Sequence, residues 1–136
     1  MLTFSCADVS SPRIGQLKVC RWLNKVVLDE GKSSMSVGIV FCSDEYLLDI
    51  NNKFLKHDFY TDIVTFDYTE GLNIVGELYV SLDRVKDNSI TLGVDYKREL
   101  LRVMVHGVLH LCGYHDKTDK EVAEMRSKED YYLSRV

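Results

Sequence analysis

Residues 95–116 read DYKRELLRVMVHGVLHLCGYHD, and this stretch decides the architecture. Its first eighteen positions make the most strongly apolar helical run in the chain, and Gly113 is well placed to stop it. Downstream, Thr118 and Glu121 form a capping box for a last helix that reaches about Leu133. Upstream, Leu82 to Ile90 reads as a short helix closing near Gly93. Before it lie two segments of strand type, TDIVTFDY (61–68) and IVGELYVS (74–81), joined through a Glu70-Gly71 turn as a hairpin or neighbouring pair. LTFSC (2–6) and MSVGIVFC (35–42) complete the strands. A helix between them is expected to be capped by Ser10 or Ser11 with Pro12 at its first position. Its apolar residues are Ile14, Leu17, Trp22, Val26 and Val27, and it closes at Gly31. A further helix opens at Ser43-Asp44-Glu45, with Tyr46, Leu47, Ile50 and Phe54 on its apolar face. The sum is an α+β layered domain spanning 1–136, with about four strands and four to five helices.

Composition excludes several classes. With 136 residues and 46% hydrophobic content, the chain can bury one core. It has one proline and eight glycines, with no repeat and no low-complexity tract, so no linker is expected. The N-terminus lacks a basic region followed by an apolar run, and Arg102 interrupts the greasiest segment, so neither a signal peptide nor a membrane helix is expected. The expected compartment is the cytoplasm. Cys6, Cys20, Cys42 and Cys112 lie in apolar contexts without metal-knuckle spacing, and reduced core packing is expected for them. A net charge of −4 argues against a nonspecific nucleic-acid binder, although a catalytic cleft needs only a local basic lining.

Chemistry concentrates at the end of the apolar helix. Three of the four histidines fall within ten residues there. His106 and His110, four apart, present two imidazoles on one helix face, and Gly113 lets the following residues swing back as a third donor. An unpartnered imidazole among Leu and Val is costly, which favours a shared metal ion over two core histidines. Two donors compete for the third position. His115 suits zinc by type, whereas Asp116 holds the register in which an HxxxHxxGxx(H/D) site places its last ligand. Neighbours in an extended segment point opposite ways, so one coordinates, and the register favours Asp116. The expected metal is one zinc ion, though two His and one carboxylate also accept iron, nickel or manganese. Gly107 stands where a zincin peptidase carries its glutamate base, which disfavours peptide hydrolysis; RNA cleavage is more forgiving, because a metal can act on the phosphate directly.

The motif HGVLHLCG-Y resembles the signature of the YbeY family, bacterial metal-dependent endoribonucleases of ribosomal RNA maturation. TDIVTF (61–66) is similar to that family's TDVLSF strand, and GELYVS (76–81) to its GDI-type strand. The resemblance implies a mixed sheet, with the metal in a cleft beside the strand at 61–68. It also implies cleavage of single-stranded ribosomal RNA in small-subunit maturation and ribosome quality control, with zinc held by His106 and His110. The family motif usually ends Asp-His with histidine as third ligand; here the order is His115-Asp116, and gapless alignment gives that role to Asp116. Many members carry arginine after an aromatic residue ahead of the TD strand, where Leu55 follows Phe54 here, with Lys53, Lys56 and His57 nearby. Asp62 and Glu77 are candidates to orient an imidazole. Lys97, Arg98 and Arg102 are candidate phosphate contacts or ordinary helix pairs. The alternatives are a zincin-like metallopeptidase and a non-catalytic ribosome-associated factor in which the metal only staples the C-terminal segment.

Overall fold

A computed structural model describes residues 1–136. The order is β1 (Leu2–Cys6), α1 (Gln16–Asp29), β2 (Ser34–Cys42), α2 (Asp44–Leu55), β3 (Ile63–Asp67), β4 (Asn73–Ser81), α3 (Leu82–Leu92), α4 (Tyr96–Leu111) and α5 (Asp119–Leu133). The four strands form one mixed sheet in the order β1-β2-β4-β3. β1–β2 and β2–β4 are parallel, whereas β3 and β4 are antiparallel. A parallel pair needs a long crossover, which α1 supplies between β1 and β2. The antiparallel pair needs only a tight turn, and the bridge between Glu70 and Asn73 closes it.

The helix singled out from the sequence is the centre of the molecule. α4 lies on β3 and β4 and is flanked by α1, α3 and α5. Ten of its sixteen residues are buried, so packing stabilises it more than helix propensity does. Each fully buried aliphatic side chain contributes about 1.5–3 kcal/mol. On the other face of the sheet, α2 packs Leu47 and Ile50 against Cys42 and Val64, a smaller apolar cluster.

Several local expectations need correction. α1 starts at Gln16, not near Ser11, because Ile14 is drawn into the core from a bend just before Gly15. Leu17 is consequently turned to solvent, and Val19, Trp22, Leu23, Val26 and Val27 form the buried stripe. Ser43 does cap α2, accepting from the Tyr46 amide. The buried face of that helix is Leu47, Ile50 and Asn51, however, while Tyr46 and Phe54 are exposed. β3 begins at Ile63, since Thr61 Oγ1 donates to the Ile63 carbonyl in a local turn. Cys42 is buried and Cys20 and Cys112 are half-buried, but Cys6 is exposed, because β1 is an edge strand with a largely open outer part.

Candidate metal centre

His106 and His110 sit one turn apart on α4, their rings 84° apart with centroids separated by 4.6 Å. Their Nε2 atoms approach to 3.0 Å. Gly113, at φ 108°, ends the helix in the left-handed region and reverses the chain. That reversal carries Asp116 back, so that its Oδ2 lies 3.4 Å from His106 Nε2 and 3.3 Å from His110 Nε2. The three residues form one potential metal-holding group. His115, the competing donor, is exposed beside them and is not a member of that group.

The hydrogen bonds behind the two rings decide what their front atoms offer. His110 Nδ1 is 2.9 Å from the Tyr114 carbonyl, which only accepts, so Nδ1 carries the proton. His106 Nδ1 is 2.6 Å from Glu129 Oε2 and donates to that carboxylate. Both Nε2 lone pairs therefore face each other and the Asp116 carboxylate. Three acceptors converging without a proton among them repel, whereas a cation between them attracts all three. A tetrahedral site with bonds of about 2.0–2.1 Å separates its donors by about 3.3 Å. The three edges observed, 3.0, 3.3 and 3.4 Å, match that spacing, and two imidazoles with one carboxylate suit a divalent transition metal. The residues present fit the group.

Glu129 was not foreseen. It projects from α5 and is 2% exposed, held between His106 and Arg102, whose Nη1 lies 3.1 Å from Glu129 Oε1. Burial pushes its carboxyl up, but the hydrogen bond from His106 and the charge and hydrogen bond of Arg102 outweigh it and hold the pKa below the usual carboxylate range. One signal in the sequence pointed to it: a glutamate standing in the Met125–Glu129–Tyr132 stripe, at core spacing on an otherwise polar helix. Arg102 does not reach outward to phosphate. Its Nε lies 2.8 Å from Glu99 Oε1, and Glu99 is itself buried. Lys97 and Arg98 are exposed. Asp62 lies in the same layer, accepting from Asn88 Nδ2 at 3.1 Å and standing 3.9 Å from Arg102 Nη2. Burial raises its pKa against the opposing charge of Arg102. Glu77 is elsewhere, accepting from the Tyr79 hydroxyl beside Phe54 and Phe66.

The loop that carries Asp116 has its own anchor. The Tyr114 hydroxyl donates to Glu30 Oε1 at 2.6 Å, and Lys128 and Tyr132 hold the other Glu30 oxygen. Burial opposes ionisation of Glu30, but these hydrogen bonds lower its pKa from 4.5. A lowered folded-state value adds stability that is fully present above the unfolded value and is lost as pH falls through the folded one. Glu30→Gln is therefore expected to flatten the acid limb of the stability curve. Urea midpoints measured between about pH 3 and 6 check this, and an unchanged slope contradicts it.

The three donors lie on the floor of an open cleft of 620 Å³ running along β3. Leu55, His57, Phe59, His115 and Lys117 line the cleft around them. Of the basic residues near Leu55, only His57 lines this cleft, while Lys53 is paired with Asp49 at 3.0 Å.

Residues 8–136 match the family profile described as Endoribonuclease YbeY. A protein of that name from Parabacteroides distasonis is 42% identical over 133 residues, covering 98% of this chain and 94% of its own length. Another from Cytophaga hutchinsonii is 52% identical over 114 residues, covering 83% and 80%. A Flavobacterium psychrophilum protein of the same name is 49% identical over 112 residues, covering 82% and 80%. A Thermotoga maritima protein solved in solution superposes with a TM-score of 0.71 at 27% identity, covering 98% of this chain and 87% of that one.

Proposed function

This chain belongs to the endoribonuclease YbeY family, and from that membership we propose that it is a metal-dependent hydrolase of RNA phosphodiester bonds. Its substrate on this reading is single-stranded ribosomal RNA, cut during small-subunit maturation and ribosome quality control in the cytoplasm, with the ribosome as partner. His106, His110 and Asp116 hold one divalent ion, with zinc the assigned metal. The observation that carries the proposal is the convergence of three acceptor atoms, a carboxylate oxygen and two imidazole nitrogens whose ring protons are committed to Glu129 and the Tyr114 carbonyl. No helix is long and apolar enough to cross a membrane.

An ion bound there supplies Lewis-acid polarisation and charge neutralisation at the scissile phosphate. The chain's own residues do the rest. Glu129 and the Tyr114 carbonyl fix the tautomer and orientation of the two imidazoles, as second partners of histidine ligands commonly do. Arg102 compensates the buried charge of Glu129. The open cleft admits a strand of RNA along β3 to the Nε2 atoms.

Neither alternative draws support. Gly107 is buried against the sheet, so the position that carries a peptidase's base is turned away from the cleft. The staple reading calls for closed coordination by four ligands, whereas the group here has three and opens to the cleft.

The test offers purified protein a single-stranded RNA, the matching duplex and an unstructured peptide, with and without chelator. Cutting of the single strand alone, abolished by chelator, is the expected result. His110→Ala is expected to lower the rate by about a thousandfold, since such metal assistance is worth several kcal/mol. Metal content of the purified protein identifies the ion. Cleavage that survives both chelator and His110→Ala contradicts the assignment, and metal loss in His115→Ala but not in Asp116→Ala moves the third ligand.

A further inference from the structure

Between α2 and β3 the chain displays an aromatic pair that the proposed chemistry does not use. His57 and Phe59 are stacked, with ring centroids 5.0 Å apart and planes 21° from parallel. Both are exposed, Phe59 to 56%, and both line the cleft that holds His106 and His110. The other exposed aromatics of this segment have structural employment. The Tyr60 hydroxyl donates to Glu45 at 2.6 Å and its ring lies under Arg84, while Phe54 sets its edge against Phe66 of β3. His57 and Phe59 stack on each other instead.

The pair is also held in place. Asn51, 2% exposed on α2, accepts from the His57 amide at 3.1 Å through its carbonyl. Its side-chain amide donates to the Phe59 carbonyl at 3.0 Å. A buried asparagine thus brackets both ends of the exposed pair, and the loop between them is preorganised rather than loose.

We propose that the His57–Phe59 stack is a base-binding subsite, on which one unpaired nucleobase of a single-stranded RNA lies while the adjoining backbone crosses the three-donor cluster. The inference rests on the RNA-cutting reading and deepens it. Every base has a flat π-face, so stacking is sequence-tolerant, and a base already stacked and paired inside a duplex is not available to the platform. Selection for single strands then resides in this pair and not in the metal-holding residues.

The experiment measures fluorescence-anisotropy affinities for a labelled single-stranded oligoribonucleotide and for a series with one abasic position walked along it. Chelator is present so that the RNA stays intact. In the wild-type protein, one abasic position is expected to weaken binding about tenfold. Phe59→Ala is expected to bind the intact oligomer about tenfold more weakly and to be indifferent to that abasic position, while Phe59→Trp retains both wild-type properties. Thermal unfolding of Phe59→Ala should match wild type, since the ring is exposed and belongs to neither apolar cluster. The inference is overturned if Phe59→Ala binds the intact oligomer within about twofold of wild type, or keeps the abasic penalty. A wild-type protein that neither binds nor cuts single-stranded RNA removes the parent reading as well, and is told apart from the first outcome by the wild-type titration alone.

Discussion

Glu129→Ala is expected to weaken metal binding about 10- to 100-fold and to destabilise the fold in the same step. The carboxylate is the shared acceptor of His106 Nδ1 and Arg102 Nη1, and it is almost wholly buried. Removing it frees the His106 ring to rotate or to exchange its proton between nitrogens, so that Nε2 no longer presents a fixed lone pair. It also strips one partner from a buried guanidinium. Breaking a buried ion pair by deleting one member costs about 3–5 kcal/mol. Arg102 retains Glu99, so the lower end of that range is expected. Glu129→Gln keeps an acceptor oxygen for His106 and loses the charge, and should fall between Ala and wild type in both measurements. Metal titration and chemical denaturation on the same preparations separate the two effects. Wild-type metal affinity in Glu129→Ala would show that the carboxylate serves packing alone.

The second large effect is expected at Gly107. A Cβ built there would lie 2.7 Å from Ile63 Cδ1 and 2.9 Å from Leu78 Cδ1, closer than carbon atoms tolerate. α4 therefore packs closely on Ile63 and Leu78 at this turn, and any side chain placed here has to displace their ends. Gly107→Ala is expected to cost at most about 1–2 kcal/mol, since the methyl displaces only the flexible ends of Ile63 and Leu78 and regains about 1 kcal/mol of helix propensity. Gly107→Glu, which writes the peptidase glutamate into the helix, adds the desolvation of a carboxylate among aliphatic groups, several kcal/mol more. Their sum is comparable to the whole stability of an ordinary domain, about 5–15 kcal/mol. The expected product is an unfolded or aggregated chain, not a peptidase. A soluble Gly107→Glu protein with native melting behaviour and peptide hydrolysis would restore the metallopeptidase reading.

Glycine at 107 thus carries a meaning that the linear motif does not reveal. Read along the chain, it is a missing general base; read in three dimensions, it is the contact point of helix and sheet. Both readings disfavour a peptidase, for different physical reasons. The same contrast runs through the fold. The cap of α2 at Ser43 and the capping box at Thr118 were legible because a side chain and the amide it caps lie within one turn of each other. The start of α1 was not, since burial of Ile14 by distant parts of the core outweighed the local preference of Ser10, Ser11 and Pro12 for a helix opening. Tyr46 and Phe54 failed as core residues for a related reason. A stripe of apolar spacing permits several helix rotations, and contact with Cys42 and Val64 selected the one that buries Leu47, Ile50 and Asn51.

What the amino-acid order determined by itself is whatever depends on helical periodicity: a long apolar helix, two imidazoles one turn apart upon it, and a glycine that sends the chain back past them. What folding alone decided is which groups stand behind and beside those rings. Glu129 arrives from 23 residues away, and Asn51 braces an aromatic pair in the loop beyond its own helix. Between Asp116 and His115 the register already favoured Asp116, and the packed loop carries its carboxylate to within 3.4 Å of both imidazoles. Local spacing sets the direction of a side chain within a turn or two, but the partner it meets depends on how whole elements pack, and no short stretch of sequence contains that information.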